Sequence, residues 1–401
     1  MRLLTIEDLN LENKTAFLRV DMNTPIDPQT SKLMEIERIK EAATTIHDLC
    51  FAKVVVASHQ GRVGRYDYVP LNQHAKALSE VLGKEVKFIE DVFGPAAREE
   101  IANLKKGEVL LLDNLRFIAE ENMEYEPDEA AKTVFVQRLY KLFDACVLDA
   151  FPTAHRAHPS IVGFSHLLPT CGGRLVVKEL KALNRITTAA KGPYTTVLGG
   201  SKVTDRVEAI EALISNNRAD KVLLSGLIAN VFFKAADKIK YKLGINDEDE
   251  IVECARALLS KYPQVFELPQ DVAVERSGER KEISIDELDK NDAILDIGSK
   301  TIDAYSRIIR SSGTIFMSGP AGVFEKQGFE AGTEGLLRAM ASSFGTTIVS
   351  GGHLTVALKR FGIKEWIDHV STSGGALVLY LAGKRLPLIE ALERSAMRVG
   401  K

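Results

Sequence analysis

At 401 residues, with 45% hydrophobic and 27% charged residues and a net charge of −3, the chain reads as a soluble globular protein of roughly two or three domains. The charge balance argues against nucleic acid as the main partner, which demands a large basic surplus, and no apolar run approaches the ~20 residues of a membrane span. Glu7 and Asp8 come too early for a secretory signal, and Cys50, Cys146, Cys171 and Cys254 lie far apart without a C-x-x-C or H-E-x-x-H motif, so neither a disulfide framework nor a zinc site is expected and the cytoplasm is the natural compartment.

In chain order, short β-branched runs alternate with helical patterns, which predicts an α/β fold of mostly parallel sheets covered by helices on both faces. A strand at Thr15–Val20 precedes a helix at 36–49, with apolar residues at Ile36, Ile39, Ala43, Ile46 and Leu49, and a strand at Lys53–Ala57. A second helix at Asn72–Leu82 leads to strands at 86–89 and Val109–Leu112, and one long helix at 128–143 feeds a strand at 145–148. A domain boundary follows Leu168-Pro169-Thr170-Cys171-Gly172-Gly173, after which a helix at 174–187 reads as a stiff connector and hinge. A new sheet begins at Tyr194–Leu198; residues 246–250 and 275–281 read as surface loops or helix starts, and 387–399 as an amphipathic helix with no evident docking partner.

The strand tips carry the chemistry. In the first half, Asp21 and Asn23 follow the first run, Ser58-His59-Gln60-Gly61-Arg62 the second, and Asp113-Asn114-Leu115-Arg116 the run ending at Leu112. Asp149 then leads into His155-Arg156-Ala157-His158. Ligands of open α/β sheets sit outside the carboxyl ends of strands. Taken singly, Arg19, Arg38, Arg62, Arg116 and Arg156 would pass for solvated or ion-paired residues. Converging there with His59, His155 and His158 they would repel one another unless an anion is bound, and the guanidinium fork suits carboxylate and phosphate oxygens. Each such bond contributes ~1.5–3 kcal/mol where water is excluded. His47, His74 and His166 read as structural.

In the second half the tips are glycine: Gly199-Gly200-Ser201-Lys202, Ser225-Gly226, Ile297-Gly298, Ser318-Gly319-Pro320-Ala321-Gly322, Ser350-Gly351-Gly352 and Ser373-Gly374-Gly375. Glycine lets backbone N–H groups approach phosphate, a following helix N-terminus adds a favourable dipole, and Lys202 would supply a point charge. Neither a G-x-x-x-x-G-K-[ST] loop nor a G-x-G-x-x-G fingerprint occurs. Glu325 is either an acceptor for ribose hydroxyls or an ordinary acid at a helix start. No paired carboxylates or Ser/His/Asp set stands out, which fits a nucleophile that needs no activation.

In these segments, in order and along essentially its whole length, the chain resembles the phosphoglycerate kinase family. The resemblance rests on Arg19-Val20-Asp21-Met22-Asn23, Glu37-Arg38-Ile39, Ser58-His59-Gln60-Gly61-Arg62, Leu112-Asp113-Asn114-Leu115-Arg116-Phe117 and His155-Arg156-Ala157-His158. It continues through Leu198-Gly199-Gly200-Ser201-Lys202-Val203-Thr204-Asp205, Asp296-Ile297-Gly298, Gly319-Pro320-Ala321-Gly322-Val323-Phe324-Glu325 and Ser371-Thr372-Ser373-Gly374-Gly375-Ala376. It implies two α/β lobes: residues 1–172 with a tail from about 377 to 401 for the triose acid, a hinge helix at 173–190, and 191–376 for the nucleotide. The implied reaction is reversible phosphoryl transfer between 1,3-bisphosphoglycerate and ADP, giving 3-phosphoglycerate and ATP with Mg²⁺, by a monomer that closes its lobes. Arg19, Asp21, Asn23, Arg38, His59, Arg62, Arg116 and Arg156 would hold the acid, with Arg38 and Lys202 stabilising charge in transfer. Gly199, Gly200, Arg206, Gly226, Gly298, Pro320, Glu325, Gly351, Gly352, Thr372, Gly374 and Gly375 would line the nucleotide site.

Four departures from the family pattern fall on the nucleotide side: Ser318 for a usual Asn, Arg206 for Lys, Ser373 for Gly, and His353 where an Asp near the nucleotide's metal is common. They leave the metal ligands unassigned and make metal dependence or nucleotide preference the expected place of difference. A non-catalytic binding protein on this fold and a kinase for another phosphorylated acid are the competing readings.

Overall fold

The computed structural model describes residues 3–189, 191–289, 292–371 and 373–400. The chain divides into two compact units, Met1–Lys181 with Arg385–Lys401, and Ala182–Lys384. In the first, β1 (Thr15–Val20), β2 (Lys53–Ala57), β3 (Lys87–Ile89), β4 (Val109–Leu112), β5 (Ala145–Asp149) and β6 (Thr170–Gly172) form a parallel sheet in the order β3-β4-β2-β1-β5-β6. Every residue of β1 is buried, because both faces of the strand are covered. Ala16, Leu18 and Val20 pack with Ile39, Ala43 and Ile46 of the helix Glu37–Asp48 and with Leu78 of Asn72–Leu82. Phe17 faces the other way, stacked on Phe164 at 4.2 Å and tilted against Phe143 at 5.3 Å; burying such a ring contributes ~1.5–3 kcal/mol. The two-residue period then places Arg19 on the Phe17 face, inside the protein. Chain order reverses between β1 and β5, so their carboxyl ends form the switch point where ligands gather.

In the second unit, β7 (Tyr194–Leu198), β8 (Lys221–Leu224), β9 (Phe266–Glu267), β13 (Thr314–Ser318), β14 (Thr346–Ser350) and β15 (His369–Ser371) form another parallel sheet, ordered β15-β14-β13-β7-β8-β9. Its switch point lies between β7 and β13, whose tips are Gly199-Gly200 and Gly319-Pro320. Between β9 and β13 come β10 (Asp271–Arg276), β11 (Glu279–Ser284) and β12 (Ile294–Ile297), an antiparallel sheet in the order β11-β10-β12.

Three expectations change. Residues 275–281 are a β-hairpin, not a loop or helix start: β10 and β11 pair around Ser277-Gly278, both at positive φ (55° and 80°), as a two-residue hairpin turn requires. The long helix at 128–143 is broken into Pro127–Ala130, Val134–Leu139 and a short 3₁₀ turn. The break occurs because Glu120 accepts from the Val134 and Phe135 N–H groups, both at 2.9 Å, giving the second piece a new capped start. The tail that rejoins the first unit starts at Arg385 rather than near 377. Helix Gly375–Leu381 stays with the second unit, where Asn216 Nδ2 donates to the Ala382 carbonyl at 2.7 Å. Helix Pro387–Arg398 then docks beside β6, where the Thr170 N–H donates to Ser395 Oγ at 2.7 Å.

The connector helix Arg174–Ala189 begins in the first unit and ends in the second. Its start is held by the buried Asp149 carboxylate, which accepts from the Val176 N–H at 3.0 Å and from Thr45 Oγ1 at 2.5 Å. Thr45 Oγ1 in turn accepts from the Arg174 N–H at 2.9 Å.

Candidate active site

The first unit brings its predicted cations together. Arg19, fully buried, donates from Nε to Ser160 Oγ at 2.8 Å and from Nη2 to His59 Nδ1 at 3.1 Å, and its Nη1 donates to the Val20 carbonyl. Arg116, also buried, donates to the Gly61 carbonyl. Its pKa is drawn down to about 10, first by burial and then by repulsion from Arg156, Arg62 and Arg19. His59 and His158 are held neutral by burial and by Arg19, Arg116 and Arg156; His158 falls to about 3. Mutual repulsion of this kind exists only if the groups share one small region. Arg62 is exposed and Arg156 half-buried, so the cluster runs from a sealed floor to an open rim.

The scaffold of this cluster is a set of interlocked tips. Asn23 Oδ1 accepts from the Gly61 N–H at 2.9 Å, and Asp21 Oδ1 from the Asn23 N–H at 3.0 Å. Gln60 clamps Thr24 through both its amide atoms at 2.9 Å, and His74 Nε2 lies 3.1 Å from Gln60 Oε1. Asn114 Oδ1 accepts from the Gln60 N–H at 3.0 Å and its Nδ2 donates to the Gln60 carbonyl at 2.8 Å. Gly61, at φ +67°, lies so close to the Asp67 carbonyl that no side chain fits. Arg38, at the start of its helix, pairs with Asp21 Oδ2 at 2.6 Å. His74 is therefore structural, as the sequence indicates, and supports the tip that carries His59.

In the second unit the glycines fall into two kinds. Gly199, Gly200, Gly226, Gly319 and Pro320 are packed against each other: the Gly200 N–H donates to the Pro320 carbonyl at 2.7 Å and the Gly226 N–H to Ala321 at 2.9 Å. A Cβ on Gly199 would strike the Pro320 carbonyl, and one on Gly319 (φ +84°) the Gly199 carbonyl. The buried Arg206 donates to that same Gly199 carbonyl, bracing the tip. Gly351 (φ +113°), Gly352 and Gly374 instead have open space where a Cβ would stand. Helix Gly352–Arg360 opens there, and Gly375 begins the short helix after β15. Gly298 precedes the helix Ser299–Ser311, but Asp271 already fills that N-terminus: its carboxylate accepts from the Lys300 N–H at 3.1 Å and the Thr301 N–H at 2.8 Å. Lys202 is exposed between β7 and the helix Thr204–Ser215; Thr372 lies outside the described residues.

Of the departures, Ser373 is buried and its hydroxyl lies 2.5 Å from Ser371 Oγ. Ser318 is buried, with no hydrogen-bond partner for its hydroxyl among the described residues. His353 Nδ1 stands 3.7 Å from Glu325 Oε1, both exposed. Among the described residues, no group of three or more His, Cys, Asp or Glu side chains forms a metal cage, and no helix is long and apolar enough to cross a membrane.

Sequence reasoning missed Glu121 and Ser160. The fully buried Glu121 accepts from the Ser160 N–H at 3.0 Å and from the Ser160 hydroxyl, with Arg19 Nη2 at 3.9 Å and His158 Nδ1 at 3.7 Å. Its pKa is raised, chiefly by burial, which outweighs the downward pull of Arg19 and Ser160. No local signal marks it, since Glu120-Glu121 reads as a surface acid pair.

Residues 6–384 match the family model described as phosphoglycerate kinase. The chain is 44% identical to a phosphoglycerate kinase of Methanobacterium bryantii, covering 98% of each, and 42% identical to one of Sulfurisphaera tokodaii, covering 99% of this chain and 97% of that one. The crystal structure of the phosphoglycerate kinase of Pyrococcus horikoshii superimposes with a TM-score of 0.89 at 39% identity, covering 99% of this chain and all of that one. The Coxiella burnetii enzyme gives a TM-score of 0.77 at 33% identity over 98% of this chain and all of its own. By the family model, the curated relatives and the solved structures alike, the chain belongs to the phosphoglycerate kinase family.

Proposed function

We propose that the chain carries out its family's reaction with the triose acid on the cationic tips of the first unit and the nucleotide on the glycine tips of the second. That reaction is the reversible glycolytic transfer of a phosphoryl group from 1,3-bisphosphoglycerate to ADP. One observation carries the assignment of the acid: Arg156, Arg62 and Arg19 stand close enough to Arg116 to add their repulsion to the burial that lowers it, and a phosphorylated carboxylic acid relieves that repulsion.

In the ATP-consuming direction the nucleophile is a carboxylate, already ionised at neutral pH, so no general base is needed. The neutral His59 and His158 fit this, since neither is poised to exchange protons near pH 7. Rate then comes from in-line positioning and charge neutralisation over a loose transition state, with Arg38 and Lys202 in the charged roles. Closure of the two units would exclude water that could hydrolyse the acyl phosphate. Mg²⁺ would arrive with the nucleotide, held mainly by phosphates and water. Four cysteines outside any disulfide, two of them exposed, suit a reducing cytoplasm, and we take the active species to be a monomer.

A coupled assay with 3-phosphoglycerate, ATP and Mg²⁺ tests the reading, and turnover is expected. Binding of both substrates without turnover would favour a non-catalytic protein; preference for a competing phosphorylated acid would reassign the substrate.

A further inference from the structure

We propose that Glu121 is a positioning residue of the acid-binding cluster: through Ser160 and Arg19 its buried carboxylate holds His59 as a neutral imidazole with its proton on Nε2. The inference rests on the reading of this cluster as the acid site. A guanidinium can only donate, so in the 3.1 Å contact between Arg19 Nη2 and His59 Nδ1 the ring nitrogen must accept. That contact excludes both the imidazolium and the Nδ1–H tautomer, and leaves Nε2–H as the ring's donor.

What fixes Arg19 is Glu121. Arg19 Nε donates to Ser160 Oγ at 2.8 Å, so the hydroxyl hydrogen must go elsewhere, and it goes to Glu121 Oε1. The Ser160 N–H occupies Oε2 at 3.0 Å. Both carboxylate oxygens therefore accept, as an ionised group does. The chain of donors runs from Arg19 through Ser160 to Glu121 on one side and from Arg19 to His59 on the other. All four residues have 4% exposure or less, so their geometry is locked by packing. The consequence is chemical: His59 offers an N–H without adding a positive charge beside Arg116 and Arg156. Glu121 meanwhile cancels one charge beneath the anion and restrains the cluster from gripping any anion at all.

Two variants separate charge from orientation. Glu121→Gln keeps shape and removes charge. It should tighten inorganic sulfate binding about fivefold while kcat falls at least about tenfold. In ¹⁵N-histidine correlation spectra, assigned with His59→Gln, the His59 signals should move from the Nε2–H pattern to a mixture. Ser160→Ala keeps the charge and breaks the relay; it should lower kcat and mix the tautomers with sulfate affinity within about twofold of wild type. Retention of the pure Nε2–H pattern in both variants, or weaker sulfate binding in Glu121→Gln, overturns the proposal. If wild-type His59 shows the expected tautomer but 3-phosphoglycerate fails to displace sulfate, the acid-site reading falls, and with it Glu121's role in binding, while the relay itself stands.

Discussion

Arg38 Nη1 lies 2.6 Å from Asp21 Oδ2, with the Asp21 side chain 2% exposed and the Arg38 side chain 23% exposed. The pair is asymmetric: a buried anchor aims a cation that still reaches solvent. Asp21 is itself fixed through Oδ1, which accepts from the Asn23 N–H. Arg38→Ala should lower kcat by about 10²–10³, the range seen when a charge-stabilising donor is lost. Asp21→Asn should cost less, about tenfold, since the cation remains but is no longer aimed. Because both act through one guanidinium, the double variant should be no worse than Arg38→Ala alone. Steady-state kinetics check this, and additive losses would separate the two residues.

Lys202 is exposed at the mouth of a glycine tip, where its charge would meet the transferring phosphoryl group. Lys202→Ala should therefore depress turnover far more than it raises KM for 3-phosphoglycerate, with melting temperature nearly unchanged. Equal losses in kcat and in acid binding would remove it from the transferring phosphoryl group.

The two kinds of glycine predict opposite outcomes for the same substitution. Gly319→Ala places a Cβ against the Gly199 carbonyl in a left-handed backbone conformation, and should destabilise the protein by about 2 kcal/mol or more. Gly352→Ala meets nothing within 4 Å and sits in the first turn of a helix. It should leave stability within about 1 kcal/mol of wild type while raising KM for ATP, because the methyl enters the space the phosphates would use. Urea unfolding and ATP titration of both variants give the comparison; equal stability losses would abolish the distinction.

His353 and Glu325 stand 3.7 Å apart where the family resemblance leads one to expect an acid near the nucleotide's metal. Replacing the imidazole by a carboxylate should favour a hard, oxygen-seeking ion. His353→Asp should therefore raise activity with Mg²⁺ relative to Mn²⁺. An unchanged ratio across a metal titration would place His353 away from the ion.

Much of this was legible in the sequence because the strands are short apolar runs whose ends carry unusual residues. Arg19 could be nominated since a charge inside Thr15–Val20 has no surface to occupy, and the period of two then fixes its face. The hairpin at 271–284 was hidden because β11 is largely solvent-exposed and opens with four charged residues in a row, so it lacks the apolar pattern that marks a strand. The glycines were found, but their division was not: whether Gly199 meets a phosphate or the Pro320 carbonyl depends on a tip over a hundred residues away. Arg206 and Gly298 likewise have protein partners, in the Gly199 carbonyl and Asp271. Those contacts exist only once β7, β10 and β13 have been brought to their places.

Buried histidines give the protein a directional acid response. His59 is lowered well below its ordinary value, His74 to about 4 and His158 to about 3, each chiefly by burial. A base whose folded pKa lies below its unfolded value of about 6.5 is neutral in both states above that pH. Below it the unfolded chain takes up the proton first, so stability is lost as pH falls from about 6.5 toward the folded value, at about 1.4 kcal/mol per pH unit for each group. Asp149 acts in the opposite sense, because burial raises it to about 6: its ionisation weakens the fold as pH rises from about 4 to 6. His74 is lowered by burial with no contribution from the arginines of the cluster, so it reports the effect most simply. Unfolding free energies of wild type and His74→Gln at pH 7, 6 and 5 should diverge in slope, the variant losing about 1 kcal/mol less per unit below pH 6. Parallel pH profiles would mean that His74 takes up its proton in the folded protein as readily as in the unfolded chain.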